Sequence, residues 1–151
     1  MREFTGLKNA DRLYFEILKI RSVFQKENKS SGLSFIEGER DIPFQIKHMY
    51  MISEPEQDRQ RGFYEEDGGW HFLVCPYGCI DVVVDTGDVR KTITLSEPYT
   101  GLLLNAEVWR EINWRKHDSV LCLMTSEQYD DRKLHRGYDE YQQFLQDRNR
   151  V

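Results

Sequence analysis

The feature that most constrains the fold is a series of short apolar segments, broken by turn residues, between positions 70 and 124. One segment covers residues 70–75, the next 79–85 and a third 89–95, with Gly78 and Gly87 in the intervening turns. Three more segments follow, at 101–104, 108–114 and 120–124. Segments of this length and spacing are typical of antiparallel strands in a sandwich or barrel. The sequence therefore predicts an all-β fold.

The flanking regions complete this outline. Residues 33–36 and 44–52 are expected to be strands, and the charged stretch 54–61 is expected to be a loop. Between positions 138 and 148 the apolar residues recur at helical spacing, which predicts a short C-terminal helix. Residues 1–13 are polar and are predicted to be a flexible leader, so that 14–151 form a single domain.

Composition excludes several classes of function. With 21 basic and 26 acidic residues, the formal charge of −5 argues against a nucleic-acid-wrapping surface. No apolar run approaches the roughly 20 residues that cross a bilayer, and charges interrupt the first 25 residues where a signal peptide would be apolar. The three cysteines lack a second Cys/His pair at zinc spacing, which favours free thiols in a cytoplasmic protein. The four histidines form no His-x-His pair, so we expect no metal site.

Several short motifs occur in a fixed order along residues 30–145. They are the Ile-Pro-Phe-x-Ile-Lys entry at 42–47, the Arg-Gly-Phe triplet at 61–63, the Leu-Val-Cys triplet at 73–75, the Trp-Arg-Glu triplet at 109–111, and a tail with Ser126, Tyr129, Asp130, Arg136 and Tyr138. In this order and spacing the chain resembles the thymidine-diphosphate-4-keto-6-deoxyhexose 3,4-ketoisomerases. The resemblance implies a jelly-roll cupin, a homodimer, and activity without metal or organic cofactor.

The resemblance also implies two histidines on the strand after Arg-Gly, which carry the proton transfers of ketone migration. Here those positions hold Tyr64 and Glu66. In one interpretation Glu66 is the general base, its pKa raised by partial burial, and Tyr64 is the acid. In the other, residues 65–69 form an exposed acidic turn and Tyr64 packs against its edge. An inward-pointing Glu66 would favour the first interpretation.

Other residues are candidates for binding a thymidine-diphosphate sugar. Arg61 offers a bidentate fork to a pyrophosphate. Tyr50 and Trp109 are suited to a pocket wall, although aromatic residues on strands are often simply core. By strand alternation Arg110 points opposite to Trp109, and the resemblance implies that it orients the hexose.

Two histidines occupy positions where the resembled family has other polar residues. His48 stands in place of an arginine and is expected to hydrogen-bond a phosphate. His71 stands in place of a pocket residue that is commonly glutamine, so that it either contacts the sugar or is a hydrogen-bonded core histidine.

Three functional hypotheses stay open at this point. The first is a nucleotide-sugar isomerase with altered acid–base residues, serving deoxysugar and surface polysaccharide biosynthesis. The second is a non-catalytic cupin that binds a sugar nucleotide or another carbohydrate. The third is a partner-binding cupin with an empty pocket.

Overall fold

The computed structural model describes residues 12–25, 28–53 and 61–149. Most of the leader predicted at 1–13 and of the loop predicted at 54–61 lies outside these ranges. Within them the chain forms twelve strands and one α-helix: β1 (Phe15–Lys19), β2 (Arg21–Gln25), β3 (Asn28–Phe35), β4 (His48–Ser53), β5 (Arg61–Glu65), β6 (Trp70–Tyr77), β7 (Ile80–Asp85), β8 (Arg90–Leu95), β9 (Thr100–Asn105), β10 (Trp109–Trp114), β11 (Val120–Thr125), β12 (Leu134–His135) and α1 (Tyr138–Arg148).

Ten of these strands form two antiparallel sheets that face each other. The first sheet has the order β1-β9-β6-β11-β4 and the second has the order β12-β5-β10-β7-β8, while β2 and β3 pair as a separate hairpin. The main apolar core lies between the two sheets, with fully buried residues such as Leu73, Val82 and Ile112. The predicted all-β jelly roll is confirmed.

Strand alternation assigns each side chain to the inner or the outer face of its sheet. On β6, Leu73 and Cys75 belong to the core between the sheets, while Phe72 and Val74 belong to a second apolar cluster on the outer face of the first sheet. His71 has the same parity as Leu73 and therefore lies on the inner face. This parity decides below which polar residues share the interior.

The predicted strand 44–52 is shorter in the structure. Strand β4 begins only at His48, and the preceding Ile42 and Phe44 are buried in the outer cluster beside Phe72. The apolar residues before β4 therefore cover the first sheet and do not extend the strand.

Helix α1, predicted from its spacing, packs against the outer face of the second sheet. Tyr141 is fully buried there among Tyr64 and Trp109, and its hydroxyl donates a hydrogen bond of 2.6 Å to the carbonyl of Asp85. The helix thus covers and stabilises the outer face of β5, β7 and β10. No helix in the described ranges is long and apolar enough to span a membrane.

Candidate functional site

Polar side chains gather at one end of the otherwise apolar interior. His71, Thr125 and His48 face one another in register across three neighbouring strands of the first sheet, β6, β11 and β4. Arg110 on β10 and Glu65 on β5 enter from the second sheet, continuing the inward parity of Ile112 and Phe63. We call these five residues the interior polar cluster: His48, Glu65, His71, Arg110 and Thr125.

Arg110 is the fixed positive charge of this cluster, and its side chain is fully buried. Its guanidinium donates hydrogen bonds to the carbonyls of Ala106 at 2.8 Å and Val108 at 2.9 Å, and its Cζ atom lies 4.8 Å from the centre of the Phe63 ring. Burial lowers the pKa of Arg110 to about 10, which still leaves it charged at neutral pH. The guanidinium is therefore held rigidly, and its Nη1 atom faces His71.

His71 is neutral, and its tautomer is determined by Arg110. Nη1 of Arg110 lies 2.6 Å from Nδ1 of His71. Because a guanidinium can only donate, Nδ1 accepts and the imidazole proton is on Nε2. Burial and then the charge of Arg110 lower the pKa of His71 to about 4. His71 thus presents a neutral N–H backed by a positive charge.

Glu65 lies beside that N–H. Its Oε2 is 2.6 Å from Nε2 of His71, yet within the described residues Nε2 has no aligned hydrogen-bond acceptor. Burial raises the pKa of Glu65, but the close approach of the His71 N–H and the charge of Arg110 outweigh burial, and the pKa of Glu65 is lowered. A carboxylate and an imidazole N–H therefore lie close together in the interior with poor hydrogen-bond alignment, which is uncommon for buried polar groups.

Tyr50 and His48 form the adjoining wall on β4. The two rings stack with centroids 5.9 Å apart and an interplanar angle of 18°. Burial raises the pKa of Tyr50 to about 12, so that its hydroxyl stays protonated near Arg110 and Glu65. Both β4 side chains are partly exposed. They therefore form the least covered side of the interior polar cluster.

The predicted catalytic pair does not face the interior polar cluster, since Tyr64 points to the outer face of β5 and Glu66 follows the end of that strand. Tyr64 is 1% exposed and packs with Trp109 and Tyr141 on the outer face of the second sheet. Its ring stacks on that of His135, with centroids 5.0 Å apart. Glu66 is 49% exposed and its carboxylate lies 3.0 Å from Nε2 of His135. Glu66 therefore does not point into the barrel, and neither residue meets His71 or Arg110.

The predicted binding residues are divided in the same way. Trp109 lies on the outer face and donates from Nε1 to Glu111 at 3.1 Å, so it forms no wall with Tyr50. Arg110 points to the other side, as strand alternation predicted. The backbone of Arg61 pairs with Ile112, and the Arg61 side chain lies outside the described part of the chain.

Sequence reasoning missed Glu65 and Thr125. The signal for Glu65 was available, because an apolar Phe63 directed inward places Glu65, two residues later, on the same face. Thr125 carried no signal of its own. It joins the site only because β11 lies between β4 and β6. Among the described residues no group of three or more His, Cys, Asp or Glu is arranged to hold a metal ion.

Comparison with known proteins gives consistent matches over most of the chain. A family model described as "FdtA: WxcM-like, C-terminal" matches residues 15–146. The TDP-4-oxo-6-deoxy-alpha-D-glucose-3,4-oxoisomerase of Aneurinibacillus thermoaerophilus is 33% identical over 123 residues, which cover 81% of this chain and 88% of that protein.

Solved structures match equally well. The sugar 3,4-ketoisomerase QdtA of Thermoanaerobacterium thermosaccharolyticum, in complex with TDP, superposes with a TM-score of 0.77 at 32% identity, covering 89% of this chain and 96% of that one. A mutant of the same ketoisomerase, in complex with TDP-4-keto-6-deoxyglucose, gives a TM-score of 0.79 at 31% identity, with coverages of 91% and 97%. These likenesses confirm the cupin fold expected from the sequence.

Proposed function

The chain belongs to the FdtA family of WxcM-like C-terminal domains, and from that membership we propose that it is a nucleotide-sugar 3,4-ketoisomerase. Its substrate is a thymidine-diphosphate 4-keto-6-deoxyhexose, and its product serves deoxysugar biosynthesis for surface polysaccharide. The observation that carries the proposal is the Arg110–His71–Glu65 array, in which a buried neutral N–H and a carboxylate lie 2.6 Å apart.

Ketone migration from C4 to C3 passes through an enediolate, whose negative charge develops on the ketone oxygen. Nε2–H of His71 is suited to donate a hydrogen bond to that oxygen. A neutral imidazole with a lowered pKa polarises a carbonyl without protonating it outright. The Arg110 charge behind Nδ1 strengthens the donor, and in a water-poor interior such preorganised stabilisation is the largest part of catalysis in many enzymes.

The reaction must also move a proton between the two oxygens of the sugar. Glu65 is suited to this step, because its carboxylate is ionised and adjoins the N–H that would hold the ketone oxygen. It can accept the proton of the C3 hydroxyl and pass it to the oxygen on C4. Glu65 therefore replaces Glu66 in our assignment, since Tyr64 packs on the outer face of β5 and the exposed Glu66 carboxylate contacts His135.

Substrate exchange in deuterium oxide tests the proposal. We expect the protein to bind thymidine diphosphate in calorimetry and to introduce deuterium at C3 of a 4-keto-6-deoxyglucose nucleotide. Glu65→Gln should slow turnover at least about 100-fold, while the matched outer-face variant Glu66→Gln should keep it. Loss of turnover in Glu66→Gln alone would overturn the assignment.

A non-catalytic sugar-nucleotide cupin is the second candidate. It is favoured by the outward direction of Tyr64 and Glu66, which hold the positions that resemble the catalytic ones. Thymidine diphosphate binding without deuterium exchange in the unmodified protein would establish this candidate. Absence of both would leave only a partner-binding role.

Three further expectations accompany the proposal. Arg61→Ala should weaken thymidine diphosphate binding by about 1.5–3 kcal/mol, the range for a charged hydrogen bond.

We expect a homodimer, to which the exposed Met49 and Met51 on strand β4 would be suited, and sedimentation of a monomer at micromolar concentration would contradict it. We also expect a cytoplasmic enzyme, in keeping with the free thiols.

A further inference from the structure

The hydrogen bonds of His48 determine which of its ring nitrogens carries the proton. Nδ1 lies 2.5 Å from the carbonyl oxygen of Glu127 and 2.7 Å from Oγ1 of Thr125, which itself donates to the same carbonyl at 2.7 Å. A carbonyl oxygen only accepts, so Nδ1 of His48 must be the protonated nitrogen. In the neutral ring the lone pair is then on Nε2.

His48 and His71 consequently display opposite tautomers. Arg110 forces the proton of His71 onto Nε2, whereas Glu127 holds the proton of His48 on Nδ1. At Nε2 one ring is a hydrogen-bond donor and the other is a base. This complementarity arises from two unrelated sets of partners.

The two rings belong to one row of the sheet. Both are in register with Thr125, one strand to each side. Strands spaced by about 4.8 Å place the two Cα atoms about 10 Å apart, with both side chains on the inner face. Burial is the largest influence on the pKa of Glu65 and of His71, and protonation of His48 would lower both pKa values, so the three groups lie within electrostatic reach.

The orientation of the His48 ring is also fixed from its sides. Tyr50 stacks parallel to it, and the ring of Tyr129 stands edge-on at 89° with centroids 5.9 Å apart. The side chain is partly exposed. A base that is oriented by packing and still open to a ligand is what proton abstraction from carbon requires.

We propose that His48 is the carbon base of the reaction, an inference that rests on the proposed isomerase function. Its Nε2 takes the proton from C3, the electron pair of that C–H bond forms the C3–C4 double bond, and the ketone electrons move to the oxygen on C4. The C3 hydroxyl proton passes to that oxygen through Glu65. The His48 imidazolium then returns its proton to C4, the carbonyl forms at C3, and every group is restored.

The test is the variant His48→Asn, assayed with the 4-keto-6-deoxyglucose nucleotide in deuterium oxide. The Asn amide can still donate to the Glu127 carbonyl, but the base at Nε2 is gone. We expect deuterium entry at C3 to fall at least about 100-fold. Thymidine diphosphate affinity should stay within about twofold of the unmodified protein, because the proposal assigns His48 to the sugar carbon and not to the phosphate contact expected from the sequence. The exposed His117→Asn is the matched control and should exchange normally.

The outcomes separate the two proposals. Normal exchange in His48→Asn overturns the assignment of His48 and leaves the isomerase proposal standing, whereas no exchange in the unmodified protein overturns both. If His48→Asn binds no thymidine diphosphate, His48→Ala with added imidazole decides. Restored exchange supports a base at this position, because imidazole can replace a proton acceptor and not a structural contact, and absence of rescue overturns it.

Discussion

The neutral, buried state of His71 makes the free energy of unfolding depend on pH between about pH 4 and pH 6.5. Burial and the adjacent Arg110 lower the pKa of His71 from 6.5 to about 4. As pH falls through this interval, the unfolded chain takes up the imidazole proton and the folded chain does not. The free energy of unfolding therefore decreases with falling pH, and the contribution is fully retained only above about pH 6.5.

The size of the effect follows from the shift. A change from 6.5 to about 4 corresponds to about 3 kcal/mol, since one pKa unit is worth about 1.4 kcal/mol. Proton linkage places about 2 kcal/mol of this between about pH 7 and pH 5. Carboxyl groups in an unfolded chain titrate mainly below about pH 4.5, so they contribute little in that interval.

Urea unfolding at about pH 7, 6 and 5 measures this contribution through the linear extrapolation. The variant His71→Gln keeps an acceptor for Arg110 and has no titrating ring, so its loss of stability between pH 7 and 5 should be smaller than that of the unmodified protein by about 2 kcal/mol. His117→Gln, at an exposed position, should retain the full loss. Equal pH dependence in His71→Gln and the unmodified protein would refute the buried neutral imidazole.

Three other substitutions probe the frame of the site. Arg110→Met removes the guanidinium donor from the carbonyls of Asn105, Ala106 and Val108 and leaves the Glu65 charge unbalanced. It should cost about 3 kcal/mol or more in urea unfolding, and unchanged stability would show that the array is not preorganised. Tyr141→Phe removes the 2.6 Å hydrogen bond to the Asp85 carbonyl, and calorimetry should record a decrease of about 1–2 kcal/mol in the free energy of unfolding. An unchanged free energy of unfolding would mean that water replaces the hydroxyl. Gly78→Ala should cost at least about 2 kcal/mol, because φ is +99° and a Cβ would lie 2.6 Å from the Ser119 Cα. Gly137→Ala, where φ is −89° and the nearest atom would be 3.4 Å away, is its control and should be nearly neutral.

The fold was predictable because its signals are local. Alternation and glycine turns define β6, β7 and β8, and alternation alone predicted that Arg110 and Trp109 point to opposite sides. The limits of β4 were predicted less well. Phe44 has the pattern of a strand residue, but its burial against Phe72 depends on a sheet formed mostly by later parts of the chain.

The site was harder to predict for two physical reasons. Arg110 and His71 are 39 residues apart in sequence, and nothing local indicates that they meet at 2.6 Å. The positions that resemble the family's catalytic histidines are those of Tyr64 and Glu66. On β5, however, Phe63 points inward, so Glu65, two residues later, also points inward. A shift of one residue exchanges the two faces of a strand, so positional resemblance and side-chain direction can disagree.

The position of β4 at the end of its sheet has a consequence for how a ligand enters. In the part of the chain that the structure describes, β11 is the only sheet neighbour of β4, and β4 carries both His48 and Tyr50. A strand that is hydrogen-bonded to one neighbour costs less free energy to open than a strand that is hydrogen-bonded on both sides. Strand β6, which bears His71, lies between β9 and β11. Amide exchange should therefore be faster in β4 than in β6. The half of the site that bears His48 is therefore expected to be less stable against local opening than the half that bears His71.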